Sequence, residues 1–211
     1  MTVLIGGAMS LTSVLLKPAQ DKQVELDTKK KILGAVMDIS TFKTPEEVFS
    51  LYKDRVKSIV VDIKGEIISV DAKGNPLIAE KVNAQKNHKI DREERLYPIY
   101  MILNELDPNV VEAYVFPMFG LGLWDWISGY VALESDLNTV KGVAFDHKGE
   151  TPGLGARITE EKVRHRYKEN KKIFSDDGNL ESITMVKGEG ITGLSMHEVD
   201  GLSGATITAK G

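Results

Sequence analysis

Residues Val3 to Leu16, VLIGGAMSLTSVLL, carry no charge. A segment of that kind must be kept from water, and this demand divides the chain near its start. The run falls short of the ~20 residues that cross a bilayer as a helix. Three readings compete: a helix buried in protein, the apolar centre of a signal peptide, or the last part of a membrane helix that begins before this sequence. A signal peptide needs basic residues ahead of its apolar run, and Met1-Thr2 supplies none. Gly6, Gly7, Ala8 and Ser10 suit close helix packing within a bilayer. The abrupt change to KPAQDKQ at Lys17 looks like emergence into water. The expectation is a truncated membrane anchor over 1–16. The charges that follow are mixed in sign and do not orient it.

Beyond the anchor, 17–43 reads as a helical stalk and 44–211 as one folded domain. Gln20 to Met37 has helical spacing, with Val24, Asp27/Thr28, Ile32 and Val36 near one face and Lys29 to Lys31 solvated. Thr44-Pro45-Glu46-Glu47 opens a second helix: a capping hydroxyl, a proline at the first position, carboxylates in the first turn. SIVVDI and EIISVDA flank Lys64-Gly65 as a hairpin. Asp91 to Leu106 reads as a helix that Pro98 kinks or breaks. EAYVFPMFG, SGYVALES and TVKGVAFDH read as strands, and ITMVKG and HEVDG as shorter ones. Ile158 to Lys172 reads as a charged surface helix with Val163 and Tyr167 inward. Strands and helices alternate without a βαβ rhythm. The fold class is therefore α+β, with antiparallel-rich sheets flanked by helices.

Composition removes several functions. The net charge of −4 leaves no basic footprint, so no nucleic-acid partner is expected. The chain has no cysteine, which excludes disulfides, thiolate metal sites, iron–sulfur ligation and a cysteine nucleophile. His88, His147, His165 and His197 are not paired at metal-ligand spacing, and no metal site is expected.

Three glycine-rich stretches remain, at 119–134, 146–156 and 199–208. None is a Walker loop or a dinucleotide fingerprint. The Gly-x-Gly pairs Gly120/Gly122 and Gly153/Gly155 are weak signals alone. In the tail, Gly204 and Ala205 leave backbone N–H groups approachable, while Ser203, Thr206 and Thr208 add hydroxyls. A strand ending at Asp200 followed by a helix start would aim those donors at an anion. An ordinary helix cap by Ser203 or Thr206 explains the same residues. In ETPGLG, Glu150 serves as a base or an acceptor for a bound ring, or the segment is a plain turn with Gly153 at positive φ. Trp124 and Trp126 would share a face if both lay in a strand, and either stacks on a planar ligand or is simply buried. His147 donates to a ligand or is solvated.

Taken together and in order, GLGLWDWISGYVALE, HKGETPGLGARI and DGLSGATITAKG resemble the flavin-binding domain of the C subunit of the sodium-translocating NADH:quinone reductase. The resemblance implies flavin mononucleotide (FMN) held by a phosphoester on the last threonine of S/T-G-A-T-x-S/T, here Thr208. It implies that Ser203, Gly204, Ala205 and Thr206 surround the phosphate. Thr151, Leu154 and Gly155 would meet the ring, with Leu123 and Trp124 lining the same pocket and Glu150 holding the loop or touching the flavin. No catalytic residue is implied; the function is electron relay. A flavin transferase would attach the group from FAD outside the cytoplasm. The implied partners are the membrane and the other subunits of the reductase, notably the flavoprotein B subunit and the membrane-embedded iron–sulfur subunits, with quinone beyond them. The sodium path belongs to other subunits, since no carboxylate sits in the apolar segment. The implied location is the bacterial inner membrane, single-pass, with the domain on the periplasmic side. This chain departs from the family at both ends, where the membrane helix is incomplete and a further helix is missing after Gly211. The G subunit of the Rnf ferredoxin:NAD reductase shares ETPGLG and SGAT-type motifs, but GLGLWDWISGYVALE favours the quinone reductase family. A cofactor-free, membrane-tethered assembly module is the reading from another class.

Overall fold

Helix α1 spans Thr2–Gly34 and changes character along its length. Ile5, Met9, Leu11, Val14, Leu15 and Leu16 stay exposed, whereas Leu26, Ile32 and Leu33 are buried against the rest of the fold. The structure, a computed structural model, describes residues 2–210, without the side chains of residues 2–4 and 8; Met1 and Gly211, the outer ends of the expected anchor and domain, lie outside the described residues. Among the described residues, no helix is long and apolar enough to cross a membrane. The helix expected from Gln20 is present, with a shifted face: Val24 is exposed and Leu26 is buried.

Helix α2, Pro45–Arg55, starts as its sequence dictates. Thr44 Oγ1 accepts from the Glu47 N–H at 3.3 Å, and the Glu47 carboxylate reaches back to the Lys43 N–H at 2.9 Å. Two amides that the helix cannot satisfy internally are thereby paired. Thr44→Ala is expected to lower stability by about 1 kcal/mol. Thermal denaturation should show this as a fall of about 3 °C in the midpoint.

Five strands build the sheet: β1 Val56–Val61, β2 Tyr97–Leu103, β3 Val111–Leu121, β4 Trp126–Glu134 and β5 Val140–His147. They pair in chain order, each antiparallel to the next. The short connections between β3, β4 and β5 permit only this, because a parallel neighbour needs a crossover of a dozen or more residues. The expected α+β class with an antiparallel sheet is borne out.

Alternation along the strands gives the sheet two covered faces. On β4, Tyr130 and Ala132 face a core shared with Ile32 and Leu33 of α1 and Val48 and Tyr52 of α2. Val131 and Leu133 face the other way, toward Val140, Val143 and Tyr167. A short helix α3, Ala84–His88, lies in the β1–β2 connection. The chain after β5 folds over the second face. It carries helix α4, Glu161–His165, and the pair β6 Thr184–Met185 and β7 Glu198–Val199. Ile158, Val163, Met185, Val199, Leu202 and Ala205 cluster there with Ile127 and Phe145 of the sheet. The tail is thus seated on the sheet by its few apolar side chains.

Three local expectations need correction. The helix expected over 91–106 is a 3-10 turn at Arg92–Glu94 followed by β2. Its residues alternate between half-buried and buried, the strand period. Pro98 is tolerated because it pairs only with Val60 of β1, before the β3 pairing begins at Tyr100. The surface helix expected over 158–172 shrinks to α4 and a 3-10 turn at Arg166–Lys168. Asn170 at φ +53° ends it. Lys171 then accepts at its carbonyl from the Val140 N–H, so sheet-edge pairing overrides helical spacing. Val163 and Tyr167 do pack inward as expected. The hairpin around Gly65 is reduced to a bridge between Val61 and Ile67.

Candidate functional site

At the β3–β4 turn, Gly122 donates its N–H to the Asp125 carbonyl at 2.9 Å. The turn leaves two inward amides. Trp124 N–H donates to Glu150 Oε1 at 2.9 Å, and Asp125 N–H to the same oxygen at 3.5 Å. Glu150 lies three residues past β5, and its carboxylate passes back beneath the turn, where it is only 4% exposed. The backbone makes room for it on two sides. A Cβ at Gly122 would stand 2.4 Å from Glu150 Oε1, and one at Gly155 would stand 2.2 Å from Oε2. The ETPGLG segment after Glu150 is the expected turn: Gly153 has φ +76°, and Leu154 N–H closes onto the Thr151 carbonyl at 3.1 Å.

The tail reaches this carboxylate from the other side. Thr208 is 2% exposed, and its Oγ1 donates to Glu150 Oε2 at 2.5 Å. Gly155 must be glycine for this pair as well, since its Cβ would come 2.7 Å from Thr208 Oγ1. The tail is held at its root by a charged clamp. Arg166 donates to the Asp200 and Gly201 carbonyls, and Arg157 and Arg166 both pair with Glu189. Glu189 in turn accepts from the Ser203 N–H at 3.4 Å. The Asp200 carboxylate accepts from the Gly190 and Ile191 N–H groups at 3.0 and 2.8 Å. Between root and tip, Gly204 at φ +77° lets the chain turn beneath Leu154.

The electrostatics follow from these contacts. Burial disfavours the Glu150 carboxylate, but hydrogen bonds from Thr208 and the Trp124 and Asp125 amides outweigh it and hold its pKa below the usual range. Hydrogen bonds from Arg157 and Arg166 lower Glu189 to about 2. Burial opposes the charge on Asp200, yet its backbone donors also leave it lowered. Groups depressed in the folded state add stability above their unfolded pKa values, around 4, and that stability is lost as pH falls through the folded values. The C-terminal half should therefore loosen progressively from about pH 4.5 toward pH 2. Limited proteolysis by pepsin across that window would show it, with Glu189→Gln flattening the pH dependence. Equal dependence in the two proteins would contradict the clamp.

Of the residues singled out in the sequence, Thr208, Glu150 and Gly155 meet in one buried spot, with Leu154 and Gly204 in contact beside it. Ala205 is buried beneath the tail. Ser203, Thr206 and Thr151 are exposed at the surface instead, and neither the Ser203 nor the Thr206 side chain caps a helix among the described residues. Trp124 contributes its N–H to the site while the residue as a whole is 69% exposed, and the neighbouring Leu123 is also exposed. Trp126 opens β4 and stacks on Phe119 at 4.6 Å, whereas Trp124 lies in the turn before it, so the two tryptophans are not both in a strand. Sequence reasoning noted Gly122 only as half of a weak Gly-x-Gly pair, and missed Arg157, Arg166 and Glu189. The arginines sit in a charged stretch and Glu189 in KGEG, where nothing local signals that they meet.

Known proteins are similar to this chain over nearly its whole length. The FMN-binding domain family matches residues 122–211, which hold Glu150 and Thr208 and much of the first glycine-rich stretch. The C subunit of the Na(+)-translocating NADH-quinone reductase of Pseudomonas aeruginosa is 31% identical over all of this chain and 82% of its own length. The Vibrio parahaemolyticus counterpart is 34% identical over 96% of this chain and 80% of its own. Among solved structures, the C subunit from Parabacteroides distasonis superposes with a TM-score of 0.74 at 31% identity, over 93% of this chain and 88% of that one. NqrC of Shewanella oneidensis gives 0.70 at 28% identity, over 88% and 87%. Sequence and fold agree over nearly the full length, and the chain belongs to the C-subunit family of the Na(+)-translocating NADH-quinone reductases.

Proposed function

We propose that this chain is an electron-carrying subunit of such a reductase and that it holds FMN through a phosphoester on Thr208. One observation carries the reading. The Thr208 hydroxyl, from the tail motif, meets the Glu150 carboxylate, from ETPGLG, beneath the amides of the GLGLWDW turn. Three stretches far apart in sequence thus converge on one hydroxyl.

The residues around that hydroxyl suit a flavin. Leu123, Trp124, Leu154 and Ile207 are exposed apolar side chains carried by the same turn, loop and tail. A flat aromatic ring covers such side chains without leaving buried polar groups unpaired. Leu154 and Trp124 would lie against the ring, Thr151 would offer a hydroxyl to its polar edge, and Gly155 would let the backbone approach. Ser203 and Thr206, with the Gly204 amide, would solvate the phosphate, while the Ala205 N–H is given to the Leu202 carbonyl at 3.1 Å and Ala205 seats the segment beneath it. FMN supplies one- and two-electron transfer when bound; the protein fixes its position and its polar surroundings. A covalent link suits a carrier that must not be lost from the periplasmic side, where α1 would tether the domain to the inner membrane. In this reading the neighbours are the membrane iron–sulfur subunits and the flavoprotein B subunit.

By exposure alone, Ser203 or Thr206 would be easier to modify than Thr208. Peptide mass mapping after co-expression with a flavin transferase decides between them. The expected result is one FMN moiety on Thr208. A flavin on Thr206 or Ser203 would refute the assignment of the residue, and an unmodified tail would refute the covalent carrier.

A further inference from the structure

The observed state of Thr208 does not suit modification. Its hydroxyl is buried, its proton is committed to Glu150, and the space beside it is closed by Gly155. A transferase has no line of approach to an oxygen so placed, and no phosphate group fits between Thr208 Oγ1 and the Gly155 backbone. The tail must therefore leave this position to be modified.

The two ends of the segment are held differently. The root, Asp200 to Ser203, is fixed by several bonds that do not involve Thr208: the Arg166 contacts with the Asp200 and Gly201 carbonyls, the Glu189 contact with Ser203, and the Gly190 and Ile191 amides on Asp200. Gly201 fits against the Val186 and Gly188 carbonyls, where a Cβ would come within 2.0 Å. The root has no freedom to swing. The tip carries backbone bonds within itself, from Ala209 to Ala205 and from Lys210 to Ile207; it is fastened to the rest by the apolar packing of Ala205 and Ala209 and, among the described residues, by one side-chain bond, from Thr208 to Glu150. Gly204, at positive φ, stands between root and tip.

We infer that the Thr208–Glu150 hydrogen bond is a latch that keeps the unmodified tail closed and that flavin attachment destroys it permanently. This rests on Thr208 as the attachment residue. Glu150 is then a positioning residue, holding the hydroxyl until the tip opens. Attachment forms a bond between Thr208 Oγ1 and the flavin-side phosphorus of FAD. It breaks the phosphoanhydride bond of FAD, AMP departs, and the hydroxyl proton leaves with it or to solvent. The esterified oxygen has no proton to donate. It also carries an anionic phosphate, which cannot return beside a buried carboxylate without like-charge repulsion. Glu150 keeps its two amide donors from Trp124 and Asp125 and remains charged in place. The unmodified and modified chains thus have different tails, and the change is driven by the loss of one proton donor.

Hydrogen–deuterium exchange of the tail amides, above all Ala209, tests this on the full chain. Made without transferase, the wild type should protect Ala209. Thr208→Val should speed its exchange by about tenfold, as expected for loss of a charge-assisted hydrogen bond, and Glu150→Gln, which leaves only a neutral bond to the hydroxyl, by a smaller factor in the same direction. The double variant should be no faster than Thr208→Val alone, because both changes act on the same bond. The modified wild type should exchange like unmodified Thr208→Val. Initial rates of flavin transfer at limiting transferase should rise in Glu150→Gln, which retains the reacting hydroxyl. Additive effects in the double variant, or unchanged Ala209 exchange in chains whose mass proves modification, would overturn the latch while leaving the attachment intact. Independent mass mapping that finds Thr208 bare would overturn the attachment and the release together.

Discussion

Thr208→Ala protein, matured beside a flavin transferase, is expected to give no fluorescent band on a denaturing gel, while Thr206→Ala gives one as bright as the parent. The contrast is the largest effect anticipated for this molecule: complete loss against no loss from two threonines in one six-residue motif. Its basis is chemical. A phosphoester needs an oxygen, and alanine offers none. It is also structural. Thr206 projects into solvent, whereas Thr208 is the hydroxyl in contact with Glu150. Folding is not the confounding variable, because losing the Thr208 hydroxyl loosens the tip while Leu202 and Ala205 still seat the tail on the sheet. Matching far-UV circular dichroism of the two variants would verify that. A fluorescent Thr208→Ala band would remove the central assignment.

Gly155→Ala is expected to cost about 3 kcal/mol, through overpacking against a buried charge. For a chain of this length, that is a fall of about 6–12 °C in thermal midpoint. The added methyl would stand 2.2 Å from Glu150 Oε2 and 2.7 Å from Thr208 Oγ1. The carboxylate cannot retreat, because the Gly122 backbone already closes its other side, where even a Cβ would come 2.4 Å from Oε1. Moving it out would abandon the Trp124 and Asp125 amides. Gly153→Ala is the control two residues away. Nothing lies within 4 Å of its missing Cβ, and only its positive φ resists substitution, a cost of about 1–2 kcal/mol. A Gly155→Ala midpoint equal to that of Gly153→Ala would show that the packing around Glu150 is looser than described.

Both effects depend on glycines whose roles differ, and only one role could be read locally. TPG announces a turn, and Gly153 has the backbone conformation that such a turn demands. Gly155 has no unusual φ; it is needed because residues 58 positions apart in the chain meet over it. The same division separates the expectations that held from those that did not. The cap at Thr44 and the alternating strands of the sheet are decided within a few residues, and they appear as expected. The stretch from Asp91 to Leu106 has helix formers at its start, but the sheet claims its second half for β2.

The α+β class, the strand-rich middle, the capped second helix and the three glycine-rich stretches that identify the family are all legible along the chain. Those are consequences of side-chain periodicity and turn chemistry, which act between near neighbours. The burial of Thr208, its pairing with Glu150, and the hold of Arg157, Arg166 and Glu189 on the root of the tail emerge only in the folded molecule. Those facts arise from contacts across the sheet's second face. A hydrogen bond between distant residues leaves no period in the chain, and its existence depends on how all the intervening elements pack.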